Sequence, residues 1–211
     1  MMRSNLFPVA KEGLKYLSSL TAFLLVTLIF DFDFLSFIAA ILIVAVAYVF
    51  RNPERALLAF ESASVISPVD GLVKSIDELS DSKYAYRIEI QSDYKHTSLL
   101  RAPFYASVKA VQKYNGTRVS SNSKLFNDTN EKIELLFLDS SENSVKVVHQ
   151  LTQSFAPLFI ELLPAQKLIQ TARYGVMING VTTVYLPHNF RLNINIGNEL
   201  KAGESLIGYF S

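Results

Sequence analysis

Two apolar runs in the first fifty residues, Tyr16 to Phe30 and Phe34 to Phe50, constrain this chain more than any other feature, because only Asp31-Phe32-Asp33 divides them. A helix that crosses a bilayer takes about 20 apolar residues, with a range of roughly 17 to 25. Each run is short by that measure, and the pair predicts a tight helical hairpin whose ends are eased by snorkelling lysine stems or a thinned bilayer. Arg3, Lys11 and Lys15 precede the hairpin, Arg51 and Arg55 follow it, and the turn carries only Asp31 and Asp33. That asymmetry sets both flanks in the cytoplasm and the turn outside. A hairpin that enters and leaves a single leaflet is the alternative. No small-residue cleavage site follows the first run, which argues against a secretory signal. Residues 1–55 are therefore read as a hairpin in the cell (inner) membrane, and residues 56–211 as a separate domain facing the cytoplasm.

From residue 62 the pattern changes to short runs with period two. Tyr84, Tyr86, Ile88 and Ile90 share one face, and Ala85, Arg87, Glu89 and Gln91 the other, as in a half-buried strand. Ile133 to Leu138 and Val145 to His149 flank a polar loop and read as a hairpin. Val184 to Leu186, Leu192 to Ile196 and Leu206 to Phe210 complete the strands, with turns at Asn189, Gly197-Asn198 and Ala202-Gly203. Phe155 to Ile169 is strongly apolar, but Pro157 and Pro164 break any central strand or long helix there. The expected class is mainly β (α+β), a barrel or sandwich, behind the N-terminal hairpin.

Charge and composition exclude several functions. Twenty Lys and Arg against nineteen Asp and Glu leave a net charge of +1, and no basic stripe is present, so nucleic acid is not an expected partner. With no cysteine, disulfides and thiolate metal sites are ruled out. His96, His149 and His188 lack metal-ligand spacing, and no metal site is expected.

Several ordered motifs carry chemistry. They are Phe50-Arg51-Asn52-Pro53-Glu54-Arg55, Ser67-Pro68-Val69-Asp70-Gly71-Leu72-Val73, Asn130-Glu131-Lys132, Ala172 to Pro187, and Gly197 through Gly203-Glu204. In that order and spacing the chain resembles the short bacterial phosphatidylserine decarboxylases, whose patterns are F-R-D-P-x-R, S-P-x-D-G-x-V, N-E-R, R-x-G-x-I-x-F-G-S-x-x-D-V-Y-L-P and G-x-x-V-x-A-G-E. The resemblance implies a pyruvoyl cofactor made from the chain itself. A serine hydroxyl attacks the preceding glycine carbonyl, and ester formation, elimination and hydrolysis leave a ketone-capped N-terminus that acts as an electron sink for decarboxylation. Turns like those at Ser67 to Gly71 and Gly197 to Glu204 also occur in biotinyl and lipoyl carriers, but no lysine stands at a hairpin tip here.

Two departures fall where that chemistry resides. The cleavage pair reads Gly180-Val181, and valine has no oxygen to begin the sequence. Thr182 is one residue on, and in an extended segment its oxygen faces away from any base placed for residue 181. The family's D-x-H-x-x-R-x-P, aligned on Arg101-Ala102-Pro103, puts His96 at the aspartate position and Ser98 at the histidine position. Asp70, which the resemblance implies supports self-cleavage, and Arg101 are kept. His96 could replace the lost imidazole only if a strand slipped by two residues. A partly exposed histidine in a strand, with no chemical task, is the other reading.

The expected function is that of a membrane-anchored, catalytically silent relative that makes no pyruvoyl cofactor and binds a phospholipid headgroup or a partner. Two alternatives stay open: a working decarboxylase with a displaced site, and an interaction protein without a ligand. The expected partners are membrane phospholipid, an active decarboxylase or other membrane protein, and a second copy of the chain. By resemblance the 155–169 region lies near the lipid, which nominates Phe155, Leu158, Phe159, Leu162 and Leu163 as lipid contacts.

Overall fold

The computed structural model describes residues 7–55, 61, 63–80 and 83–211. The chain divides into two compact units, Met1–Glu54 and Arg55–Ser211.

In the first unit, α1 (Lys11–Ile29) and α2 (Asp33–Val49) form an antiparallel pair. At 1.5 Å per residue they are about 28 and 26 Å long, and among the described residues α1 is the one helix long and apolar enough to cross a membrane. Asp31, at φ 54, makes the reversal, and the Phe32 N–H donates to the Thr27 carbonyl. Polar groups between the helices satisfy one another: Ser36 Oγ donates to Thr27 Oγ1 at 3.0 Å, and Thr27 Oγ1 to the Leu24 carbonyl at 2.9 Å. At the open end Ala10 N–H bonds to Phe50 O, and Asn52 reaches Pro8 O through its main chain and Phe7 O through its side chain. Phe50 is fully buried, stacked on Tyr16 and pressed against Gly13, where a Cβ would meet its ring at 2.6 Å. Arg51 lies over the Tyr48 ring and donates to its carbonyl, which caps α2. Outward, Phe23, Leu25, Phe34, Phe37, Ile41 and Val44 are exposed.

The second unit is mainly β. Its elements are β1 (Ser64–Ile66), β2 (Gly71–Glu78), β3 (Tyr86–Ser92), β4 (Leu99–Arg101), β5 (Ala106–Tyr114), α3 (Phe126–Thr129), β6 (Lys132–Leu138), β7 (Ser144–Leu151), β8 (Phe159–Ile160), β9 (Lys167–Leu168), β10 (Arg173–Val176), β11 (Gly180–Leu186), β12 (Phe190–Leu192), β13 (Glu199–Leu200) and β14 (Leu206–Phe210). An eight-stranded sheet runs β13-β2-β3-β11-β7-β6-β5-β9, and two three-stranded sheets run β1-β14-β12 and β4-β10-β8. One core joins all three in a sandwich-like arrangement. Ile88, Ile90, Leu135, Val147 and Val184 come from the large sheet, Ile207 and Phe210 from the second, and Leu100 and Tyr174 from the third.

The alternation expected for β3 is present, β6 and β7 pair as the expected hairpin with Leu138 opposite Ser144 across the polar loop, and Leu206 to Phe210 forms the expected strand β14 without strict alternation, since Ile207 and Phe210 both enter the core. The strand expected to run from Leu192 to Ile196 ends at Leu192 instead. Asn195 N–H is taken by Asn198 Oδ1, so the chain turns where apolar alternation alone predicts extension. Phe155 to Ile169 supplies only the two-residue strands β8 and β9, in keeping with its prolines.

Candidate functional site

Sheet register gathers the motifs at one end of the large sheet. β11 starts at Gly180, which pairs with Ser92 at the end of β3 and Leu151 at the end of β7. β2 starts at Gly71, directly after Ser67 to Asp70, and β6 starts beside Asn130 and Glu131. The loops 67–70, 93–98, 152–158 and 177–179 therefore lie together.

Asp70 is the hub. Its Oδ2 receives Arg55 Nη2 at 2.6 Å and the Thr97 N–H at 3.4 Å, its Oδ1 receives the Ala202 N–H at 2.7 Å, and its carbonyl receives Ser92 Oγ at 2.6 Å. Arg55 bridges onward to Glu204 at 3.1 Å. The last arginine of the Phe50 to Arg55 motif, the aspartate of the Ser67 to Gly71 motif and the closing turn thus form one charge-assisted network, mostly shielded from water. Here the carboxylate organises structure: both of its oxygens are occupied by groups other than an imidazole.

The other family-equivalent positions surround it. His96 lies in a turn, with its N–H bonded to Asp93 O and its Nδ1 accepting the Asp93 N–H at 2.9 Å. Its buried Nε2 lies 3.6 Å from Glu199 Oε1 and makes no hydrogen bond. A two-residue slip would need a strand at 96–98, and β4 begins only at Leu99. Ser98 is buried, and its carbonyl receives the Met177 N–H at 2.8 Å, which joins it to the segment before Gly180. Arg101 is buried too; its Nη1 donates to Thr171 O and its side chain runs alongside Gly203.

Gly180, Val181 and Thr182 are the first three residues of β11, a strand paired on both sides. Gly180 faces inward, where a Cβ would collide with the Gln150 carbonyl oxygen and lie 2.7 Å from Met177 Sδ. Val181, opposite Gln91 and Gln150, points to the outer face, and Thr182 is completely buried. The two side chains do point to opposite faces, as the period of two requires. Thr182, however, has a base of its own: Oγ1 is 2.8 Å from His149 Nδ1, and His149 Nε2 is 2.7 Å from Tyr174 Oη. Burial lowers the His149 pKa to about 3 and raises that of Tyr174, so the ring is neutral and bonded at both nitrogens. Sequence reasoning missed this cluster. Its signal was the phase of β7, where Val145, Val147, His149 and Leu151 all point inward.

Counted back without a gap from Val184-Tyr185-Leu186-Pro187, the family pattern sets its Gly-Ser pair on Asn179-Gly180 rather than on Gly180-Val181. Neither register holds a serine, so the residues present do not fit a self-derived pyruvoyl group. The hydroxyl–imidazole pair at Thr182 has the composition of an activated nucleophile, but both of its side chains are fully buried in the core.

Asn130 and Glu131 hold neighbouring loops. Asn130 Nδ2 donates to Val119 O and Leu151 O, while Glu131 takes Arg118 on one oxygen and the Leu158 N–H on the other. Of the five proposed lipid contacts, Leu158 and Leu162 belong to the core, Phe159 is half-buried in β8, and Phe155 and Leu163 are exposed. Among the described residues no group of three acidic or imidazole side chains could hold a metal.

A sandwich whose ordered motifs meet at one sheet end around an Arg-Asp-Glu network defines the class of scaffold. The family model "Phosphatidylserine decarboxylase" matches residues 42–208, and the chain belongs to this family. It is 26% identical over 207 residues to the phosphatidylserine decarboxylase proenzyme of Desulfotalea psychrophila, covering 95% of this chain and 96% of that protein. Against the proenzyme of Anaplasma phagocytophilum the identity is 27% over 209 residues, covering 95% and 91%, and against that of Syntrophus aciditrophicus 27% over 213 residues, covering 96% and 97%.

Proposed function

We propose that this chain is a membrane-anchored member of the phosphatidylserine decarboxylase family that stays uncut, makes no pyruvoyl group and binds phospholipid headgroups without decarboxylating them. One observation carries the reading: Met177 to Leu186 contains no serine in either register, while the Asp70 network is intact. Ser98 in place of the imidazole removes the group best suited to proton transfer near neutral pH. The hairpin's exposed apolar faces and internally satisfied polar groups support a bilayer location, and the flanking Lys and Arg support a cytoplasmic β unit. Intact-mass measurement of the full chain tests the proposal. A single species at 23.7 kDa is expected, and vesicles containing phosphatidylserine should show no loss of that lipid on incubation.

The Thr182–His149 contact favours a second reading, in which threonine replaces serine and the chain works as a decarboxylase. That reading requires a C-terminal fragment beginning at residue 182. It ranks second because the pair is sealed in the core.

A further inference from the structure

The His96 ring is bonded at one nitrogen and orphaned at the other. Nδ1 accepts the Asp93 N–H at 2.9 Å, and an imidazole nitrogen that accepts a hydrogen bond carries no hydrogen of its own. The neutral ring therefore holds its hydrogen on Nε2. That N–H is buried and, among the described residues, meets no hydrogen-bond acceptor; Glu199 Oε1 on β13 stands 3.6 Å away. Buried donors are nearly always paired, so an orphan beside a carboxylate points to a second arrangement of the ring.

A proton from solvent supplies that arrangement. It can enter only at Nδ1, where it sets two hydrogens against each other and breaks the bond to the Asp93 N–H. The charged ring is then drawn the other way, toward Glu199, whose side chain is mostly exposed and able to follow it. The other charged groups about the ring are Asp93 and Lys95 in its own turn and, reached through Thr97, Asp70 with Arg55 and Glu204. The turn holds more than itself. Thr97 N–H donates to Asp70 Oδ2 at 3.4 Å, and Ser98 O accepts the Met177 N–H at 2.8 Å. Releasing the turn takes a donor from Asp70 and loosens the segment that leads into Gly180.

We propose that His96 is an acid-operated latch: the neutral ring caps the Asp93 N–H and holds the loop 93–98 on Asp70, and a proton on Nδ1 breaks that bond, turns the ring toward Glu199 and releases the loop. The device works in the same way whether or not the chain is cut or binds a headgroup.

Hydrogen exchange of the detergent-solubilised full chain, read by mass spectrometry on peptides covering residues 92–99 and corrected for intrinsic rates, tests it at about pH 7.5 and about pH 5.5. Protection of this loop should fall several-fold in acid, and one linked proton limits the fall to about tenfold per pH unit. His96→Asn sets an amide oxygen near the place of Nδ1 and cannot take up the proton, so its protection should not depend on pH. Glu199→Gln removes the receiving charge and should respond less than the parent. His149 is common to all these chains, so any acid effect through it cancels in the comparison. Nitrogen-15 shifts of the parent's histidines give a readout that needs no change at His96, with His188→Gln to aid assignment, and should show the hydrogen on Nε2 near neutral pH. The latch is wrong if the parent loop keeps its protection in acid, if His96→Asn loses as much as the parent, if Glu199→Gln responds as fully, or if the neutral ring carries its hydrogen on Nδ1.

Discussion

Thr182→Val probes the buried polar chain directly. Valine has nearly the shape of threonine, so the core loses only the oxygen that contacts His149 Nδ1 at 2.8 Å. The imidazole is fully enclosed and cannot recruit water, which leaves one ring nitrogen without a partner. An unsatisfied buried polar group costs about 1 to 3 kcal/mol. For a unit of this size, each kcal/mol corresponds to roughly 2 to 4 °C, so a loss near 2 kcal/mol should lower the melting temperature by about 4 to 8 °C. Thermal unfolding of the detergent-solubilised full chain, followed by circular dichroism, measures it. The chain mass should be unchanged apart from the substitution. A melting temperature within about a degree of the parent would refute the argument, because Thr182 would then not be satisfying His149.

Three further outcomes follow from the same geometry. Because burial lowers the His149 pKa from 6.5 to about 3, the unfolded chain binds a proton that the folded chain refuses between those values. Stability is full above pH 6.5 and falls with acidification by about 1.4 kcal/mol per pH unit, or about 2 kcal/mol by pH 5, a slope that denaturant titrations should find much reduced in His149→Gln. Asp70→Asn leaves Arg55 paired only with Glu204 in a shielded site and should destabilise the β unit by about 3 kcal/mol in chemical denaturation. Val181→Ser should fold normally on its half-buried outer face yet remain uncut by mass, whereas Gly180→Ser should unfold more readily because its Cβ collides with Gln150 O.

Much of this was legible in the chain itself. Ile88 and Ile90 and the β6–β7 hairpin declare themselves by period, because burial on one face imposes it directly, and the two helices declare themselves by uninterrupted apolar length. The Asp70 network was legible only as separate motifs: Arg55, Asp70 and the Ala202 to Glu204 turn lie far apart in sequence, and sheet pairing is what joins them. The His149 cluster was not legible, because a lone histidine carries no local sign of burial and its partners arrive from β10 and β11. His96 was assigned to strand geometry, but the Asp93–His96 turn intervenes, a local hydrogen bond that alternation does not encode. Leu158 and Leu162 look identical to Phe155 and Leu163 in hydropathy, and only the packing of the third sheet separates core from surface.

Whether the polypeptide backbone stays whole is the most direct question to put to the protein. Denaturing mass spectrometry of the freshly purified full chain should give a single mass at the full-sequence value, insensitive to hydroxylamine. Two complementary fragments, divided between residues 178 and 182 and with a carbonyl cap on the smaller, would contradict the account.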